Sequence, residues 1–123
     1  GDILIVGVDT DKAVKVYKGP NRPIIPEAER MEMVSYIDSV HLVTTVGDVD
    51  HKGKWHYGLL RCLRPDVFVA VEDSYPSEQR RAIRRLAGRL VVLPRQADKT
   101  SSSKIVEHGM KEQLLQLLTQ LGA

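Results

Sequence analysis

Four strand-length segments punctuate the chain, and between them apolar positions recur every third or fourth residue. They are residues 3–8 (ILIVGV), 40–46 (VHLVTTV), 67–71 (VFVAV) and 90–93 (LVVL). The uninterrupted apolar runs at 3–8 and 67–71 have the signature of a strand covered on both faces inside a parallel sheet. The segments between them read as helices. Asp9, Thr10 and Asp11 supply caps for a first helix that runs through Lys18 and ends at Gly19-Pro20. Pro26 suits the first position of a second helix, with Glu27 and Glu29 in its first turn and Met33, Val34 and Ile37 as its core face. Trp55, Leu59, Leu60 and Leu63 mark a third, stopped by Arg64-Pro65. A fourth spans residues 76–87 and is closed by Gly88. Its core side is Ile83, Leu86 and Ala87, and Arg80, Arg81, Arg84 and Arg85 lie along its solvated face. In the last helical region, residues 110–121, Met110, Leu114, Leu117, Leu118 and Leu121 form one apolar stripe. That stripe either packs on the domain's own sheet or joins copies into a homo-oligomer.

Strands alternating with helices of about ten residues are βαβ units. They predict an α/β fold: a Rossmann-like three-layer sandwich with a mostly parallel sheet and right-handed crossovers, in one domain over residues 1–123. Ligands of such sheets sit at the carboxyl ends of the strands. The run at residues 3–8 needs neighbours or heavy cover, yet nothing precedes it. The expectation is a domain that lacks its first βα unit.

Composition narrows the classes of function. The formal net charge is +2, with acids and bases interleaved except along the arginine-rich helix, so nothing argues for nucleic-acid binding. No apolar stretch has the length of a membrane span. Cys62 is the only cysteine; this excludes an internal disulfide framework, fits a reducing cytoplasmic setting, and with Leu60, Leu63 and Pro65 around it reads as an inert, buried thiol.

Candidate chemistry lies in the loops. Lys18 and Arg22 bracket a Gly-Pro turn after the first strand, a point charge and a fork that could grip a polyphosphate. Taken by itself the same loop is an ordinary solvated crossover. Arg30 follows Glu27 at helical spacing, as in a simple i, i+3 pair. Ser101, Ser102 and Ser103 open the last helical region, and by composition read as a simple cap or a flexible linker. Asp48, Asp50, His51 and His56 match no closed metal pattern and read as a polar helix start. His41 reads as a structural strand residue.

The order of these residues carries a resemblance. Gly-Asp-x-Leu-Ile-Val-Gly-Val-x-x-Asp from Gly1, then Lys-Gly-x-x-Arg-Pro-Ile from Lys18, then Glu-x-x-Arg from Glu27, then Arg64-Pro65-Asp66-Val67-Phe68-Val69 and the serine run, is similar to the cytidylyltransferase-like nucleotidyltransferases. The match is closest to the heptose-phosphate adenylyltransferase and glycerol-phosphate cytidylyltransferase types. The resemblance implies transfer of AMP or CMP from ATP or CTP, with Mg2+, to a small phosphorylated substrate, with release of pyrophosphate. It implies nucleotide-binding roles for Lys18, Arg95, Ser101, Ser102 and Ser103, catalytic roles for Lys18 and Arg95, and substrate-binding roles for Arg22, Arg30 and Asp73. Three positions depart from the family pattern. The His-x-Gly-His signature is absent, Ala70-Val71-Glu72 replaces the glycines before Asp73, and His41 replaces a common aspartate. The first two keep open a non-catalytic nucleotide- or metabolite-binding domain of the same fold.

Overall fold

A computed structural model describes residues 1–96 and 101–122. In chain order the elements are β1 (Ile5–Asp9), α1 (Asp11–Lys18), α2 (Glu27–Ser35), β2 (Leu42–Val46), α3 (Gly58–Leu63), β3 (Val67–Val71), α4 (Ser77–Leu86), β4 (Arg89–Leu93) and α5 (Ser102–Gln120). The architecture is the expected mixed α/β one, consistent with a Rossmann-like fold, and its named strands pair in parallel. They pair two by two. β1 lies on β2 in the register Val6 to Val43 and Val8 to Thr45, and β3 lies on β4 with Phe68 opposite Leu90 and Ala70 opposite Val92.

Local chemistry explains the boundaries. The Thr10 hydroxyl caps α1 by accepting from the Ala13 N–H, and Gly19, at φ 96°, ends it with its N–H on the Lys15 carbonyl. Pro26 is the cap of α2 rather than its first residue and offers no side-chain acceptor, so that helix takes its acceptor from Asp11, on a different helix. Ser101 caps α5 by accepting from the Lys104 N–H.

The main core joins the two halves. Trp55, Leu60, Ile83 and Ala87 are buried together, with Val46 and Val49 from one half and Phe68 and Leu90 from the other packed against them. Gly7 allows β1 to approach this layer: a Cβ there would sit 2.6 Å from a Val46 methyl and 3.3 Å from Leu59. Gly88 is equally constrained, with the Asp66 carbonyl 2.7 Å from where its Cβ would be.

Several expectations need correction. Cys62 is exposed, not buried. α3 turns Leu60 inward, and two residues on, roughly 200° around a helix, the side chain faces solvent. Met33 and Ile37 are exposed, because α2 lies over a pair of short strands too narrow to cover its apolar face and ends before Ile37. Trp55 precedes α3 instead of belonging to it, and reaches the core from a loop. In α5 the whole Met110 to Leu121 stripe is exposed and no residue is buried. Ile83 and Ala87 do face inward as the spacing requires.

Candidate functional site

Both strand pairs present their carboxyl ends to loops that carry most of the chain's candidate chemistry. At the β1 tip, Asp9 ends the strand, Lys18 ends the helix that follows, and the crossover loop returns through Arg22. The Arg22–Pro23 peptide is cis. Lys15 Nζ donates to the Arg22 carbonyl over 3.0 Å, tying the loop back to α1. Arg22 Nη1 then donates to Ser103 Oγ over 3.3 Å, across 81 residues of sequence, and brings the crossover loop against the first turn of α5. Arg22 Nε is buried and has no hydrogen-bond partner among the described residues. An unpaired buried donor costs about 1–3 kcal/mol, more when charged.

Arg30 is held in place by the same loop. Its Nη2 lies 2.8 Å from Asp11 Oδ1 and its Nε donates to the Ile25 carbonyl over 2.9 Å. Asp11 and Glu27 exchange bonds. The Glu27 N–H donates to the Asp11 carboxylate over 2.9 Å, and the Asp11 N–H to the Glu27 carboxylate over 2.6 Å. The first turns of α1 and α2 are thereby clasped. Arg30 also lines an open, largely apolar cavity of about 420 Å³, together with Val6, Val8, Ile25, Met33 and Val34.

The ionisation of Asp9 is disturbed. Burial pushes its carboxyl above the ordinary carboxylate value, and the charges of Arg30 and Lys18 pull in the opposite direction. Burial likewise raises the phenols of Tyr17 and Tyr75, with the Asp9 charge adding to both. Asp9, Tyr17 and Tyr75 therefore share one electrostatic neighbourhood. Tyr75 stacks on Trp55 at 6.1 Å and meets Phe68 edge-on at 5.8 Å, so the tip of β3 rests on the aromatic core.

At the β3 and β4 tips, Arg95 and Asp73 pair over 3.2 Å, and the Arg95 N–H donates to the Glu72 carboxylate. Arg80 braces the same loop, with Nε on the Tyr75 carbonyl and Nη2 on the Glu72 carbonyl. The fold thus joins Arg22 to Ser103 and Arg95 to Asp73, and sets Lys18 and Arg30 around Asp9. Ser101 serves as the α5 cap. Part of the loop from Arg95 to the serines lies outside the described residues.

Asp9, Tyr17 and Tyr75 escape a motif-based reading of the sequence. Asp9 is signalled only as a polar cap between a buried-type strand and the first helix, and Arg80 by nothing, since its spacing is that of a solvated helix face. The Asp48 and Asp50 group is structural. Asp48 accepts from Trp55 Nε1 and from the Gly58 N–H, while the backbone N–H groups of Lys54 and Lys52 hold the Asp50 carboxyl below its usual value. His41 Nδ1 accepts from the Leu4 N–H. Among the described residues no group of three His, Cys, Asp or Glu could hold a metal ion, and no helix is long and apolar enough to cross a membrane.

The family model described as cytidylyltransferase-like matches residues 1–108, most of the chain. The chain belongs to the cytidylyltransferase-like family. Its relatives include the Bifunctional protein HldE of Desulfatibacillum aliphaticivorans, 32% identical over 111 residues, a stretch that covers 87% of this chain and 21% of the relative. The HldE of Citrifermentans bemidjiense is 34% identical over 108 residues, with 87% and 21% covered. That of Helicobacter pylori is 36% identical over 78 residues, covering 63% and 16%. The chain therefore spans about a fifth of the length of the curated relatives it matches over most of its own length. The family match stops at residue 108, inside α5, so the leucine-rich end of that helix lies beyond it.

Proposed function

We propose that this chain binds the triphosphate of ATP or CTP at its strand tips and serves the transfer of AMP or CMP to a small phosphorylated metabolite. The observation that carries this reading is Arg22. Its guanidinium bridges the crossover loop to the first turn of α5 through Ser103, while its buried Nε waits for an acceptor. Phosphate oxygens drawn between loop and helix supply that acceptor, and the N–H groups of the α5 first turn and the Lys18 ammonium add to the attraction. Arg30 and Asp73 would face the acceptor substrate, and Arg95 would turn from Asp73 towards the triphosphate.

In the reaction, an oxygen of the acceptor phosphate attacks the α-phosphorus in line. The new P–O bond forms as the bond from the α-phosphorus to the bridging oxygen breaks, and pyrophosphate leaves with the electron pair. Catalysis of this kind rests on positioning and charge stabilisation rather than on a protein nucleophile. Magnesium would arrive on the triphosphate, since this ion keeps several waters and is held largely by substrate phosphates.

Pyrophosphate release tests the proposal, measured with ATP and CTP against a panel of sugar phosphates and alcohol phosphates. The expected result is release with one acceptor class, lowered about 100-fold or more by Lys18→Ala at unchanged melting temperature. The replacement of the glycines before Asp73 by Ala70, Val71 and Glu72 favours a second reading, a domain that binds nucleotide without turnover. Triphosphate binding without release would select it, and absence of both would refute the site.

A further inference from the structure

The arginines at the ends of α3 and α4 take no part in the strand-tip site. Arg61, Arg64 and Arg85, with Leu86, line a cavity of about 490 Å³. Arg61 is in the last turn of α3 and Arg64 is its C-cap, while Arg85 is in the last turn of α4. These helix ends lead directly into β3 and β4, so the cavity lies at the amino ends of those strands, away from the strand tips.

Among the described residues no acidic side chain pairs with these charges. The sequence around them is poor in acid: residues 79–97 contain no Asp or Glu, and between Gly58 and Val71 the only carboxylate is Asp66. A structural role as helix-end counter-charge accounts for part of the cluster. Each helix C-terminus carries about half a negative charge, so two ends offset roughly one of the three positive charges and leave about two. A cavity of this size fits a small ligand.

Arg64 adds a second, independent observation. It adopts the left-handed conformation, φ 44° and ψ 61°, with its N–H on the Leu60 carbonyl, at a helix end where glycine is the favoured residue. A side chain at that position is maintained against backbone preference, as happens where the side chain is needed.

We infer that the Arg61–Arg64–Arg85 cavity is a second anion site, built for the phosphate dianion of a small phosphorylated ligand. Guanidinium forks from two helices match the oxygens of one phosphate, and the residual charge matches its two negative charges.

The test is calorimetric titration of the chain with inorganic phosphate and with pyrophosphate, repeated for Arg64→Gly, Arg85→Gln and Arg22→Ala. Arg64→Gly is the informative variant, because it removes the guanidinium while easing the backbone. Its melting temperature should hold or rise while phosphate affinity falls about tenfold or more, so the loss cannot come from misfolding. Arg85→Gln should show the same fall. Arg22→Ala should leave phosphate binding at this cavity intact, which separates the site from the strand tips. Binding of inorganic phosphate to the unsubstituted chain should strengthen as pH rises through neutrality, where the free ion takes its second charge. Unchanged phosphate affinity in both Arg64→Gly and Arg85→Gln would overturn the inference. So would an Arg64-dependent preference for poly-glutamate or duplex DNA over phosphate, which would make the cluster a macromolecular surface.

Discussion

Removing the Asp11 carboxylate should loosen the crossover that carries Arg22 and Arg30. In Asp11→Ala, the Glu27 N–H at the start of α2 loses its acceptor at 2.9 Å and Arg30 loses its ion pair at 2.8 Å. A hydrogen bond to a charged group contributes about 1.5–3 kcal/mol. The ion pair falls short of a buried one, since the Arg30 and Asp11 side chains are 23% and 37% exposed, and adds about 1 kcal/mol or less. The sum for Asp11→Ala is about 1.5–4 kcal/mol. Arg30→Ala should cost less, because Glu27 keeps its acceptor, and a double-mutant cycle should return a coupling of about 0.5–1 kcal/mol. Urea unfolding followed by the fluorescence of Trp55, the single tryptophan, measures each value. A cost for Asp11→Ala within the ±0.5 kcal/mol of an ordinary surface change, or no coupling to Arg30, would show that the clasp between α1 and α2 does not hold in solution.

Two further outcomes follow from the same geometry. The Asp9 carboxyl is raised in the folded chain, so the native state binds more protons than the unfolded state between the ordinary carboxylate value and the folded one. Stability therefore falls as pH rises through that window, and Asp9→Asn should match or exceed the parent in melting temperature at pH 7, with the difference closing below about pH 4; a gap that widens on acidification would contradict the upward direction of the shift. Ile83, fully buried among Trp55, Leu60 and Ala87, should cost about 2–5 kcal/mol on truncation to alanine, and a loss under 1 kcal/mol in urea unfolding would mean that the shared core is not formed.

The strands and helices were legible in the sequence because each rests on a local cause. The run at residues 67–71 became β3 with the same limits, the Gly19-Pro20 stop ended α1 at Lys18, and the serine run became the cap and first turn of α5. Burial was less legible, because it depends on what lies opposite. Met33 carries the right spacing for a core position but lies over a groove, and Cys62 sits among apolar neighbours in sequence yet on the outer side of a short helix. The candidate site divides in the same way. Lys18, Arg22 and the serines announce themselves by charge and order, and the family resemblance gives them roles. The long-range contacts were beyond reach: no spacing rule links Arg22 to Ser103, pairs Arg95 with Asp73, or turns Arg80 inward to brace the β3 tip.

A crystal structure of the chain with a non-hydrolysable ATP or CTP analogue and magnesium tests the central claim most directly. The account predicts phosphate oxygens within hydrogen-bond distance of the Arg22 guanidinium and the Ser101 to Ser103 turn, with Arg22 Nε at last paired. Phosphates bound elsewhere, with Arg22 Nε still buried and unpaired, would contradict it.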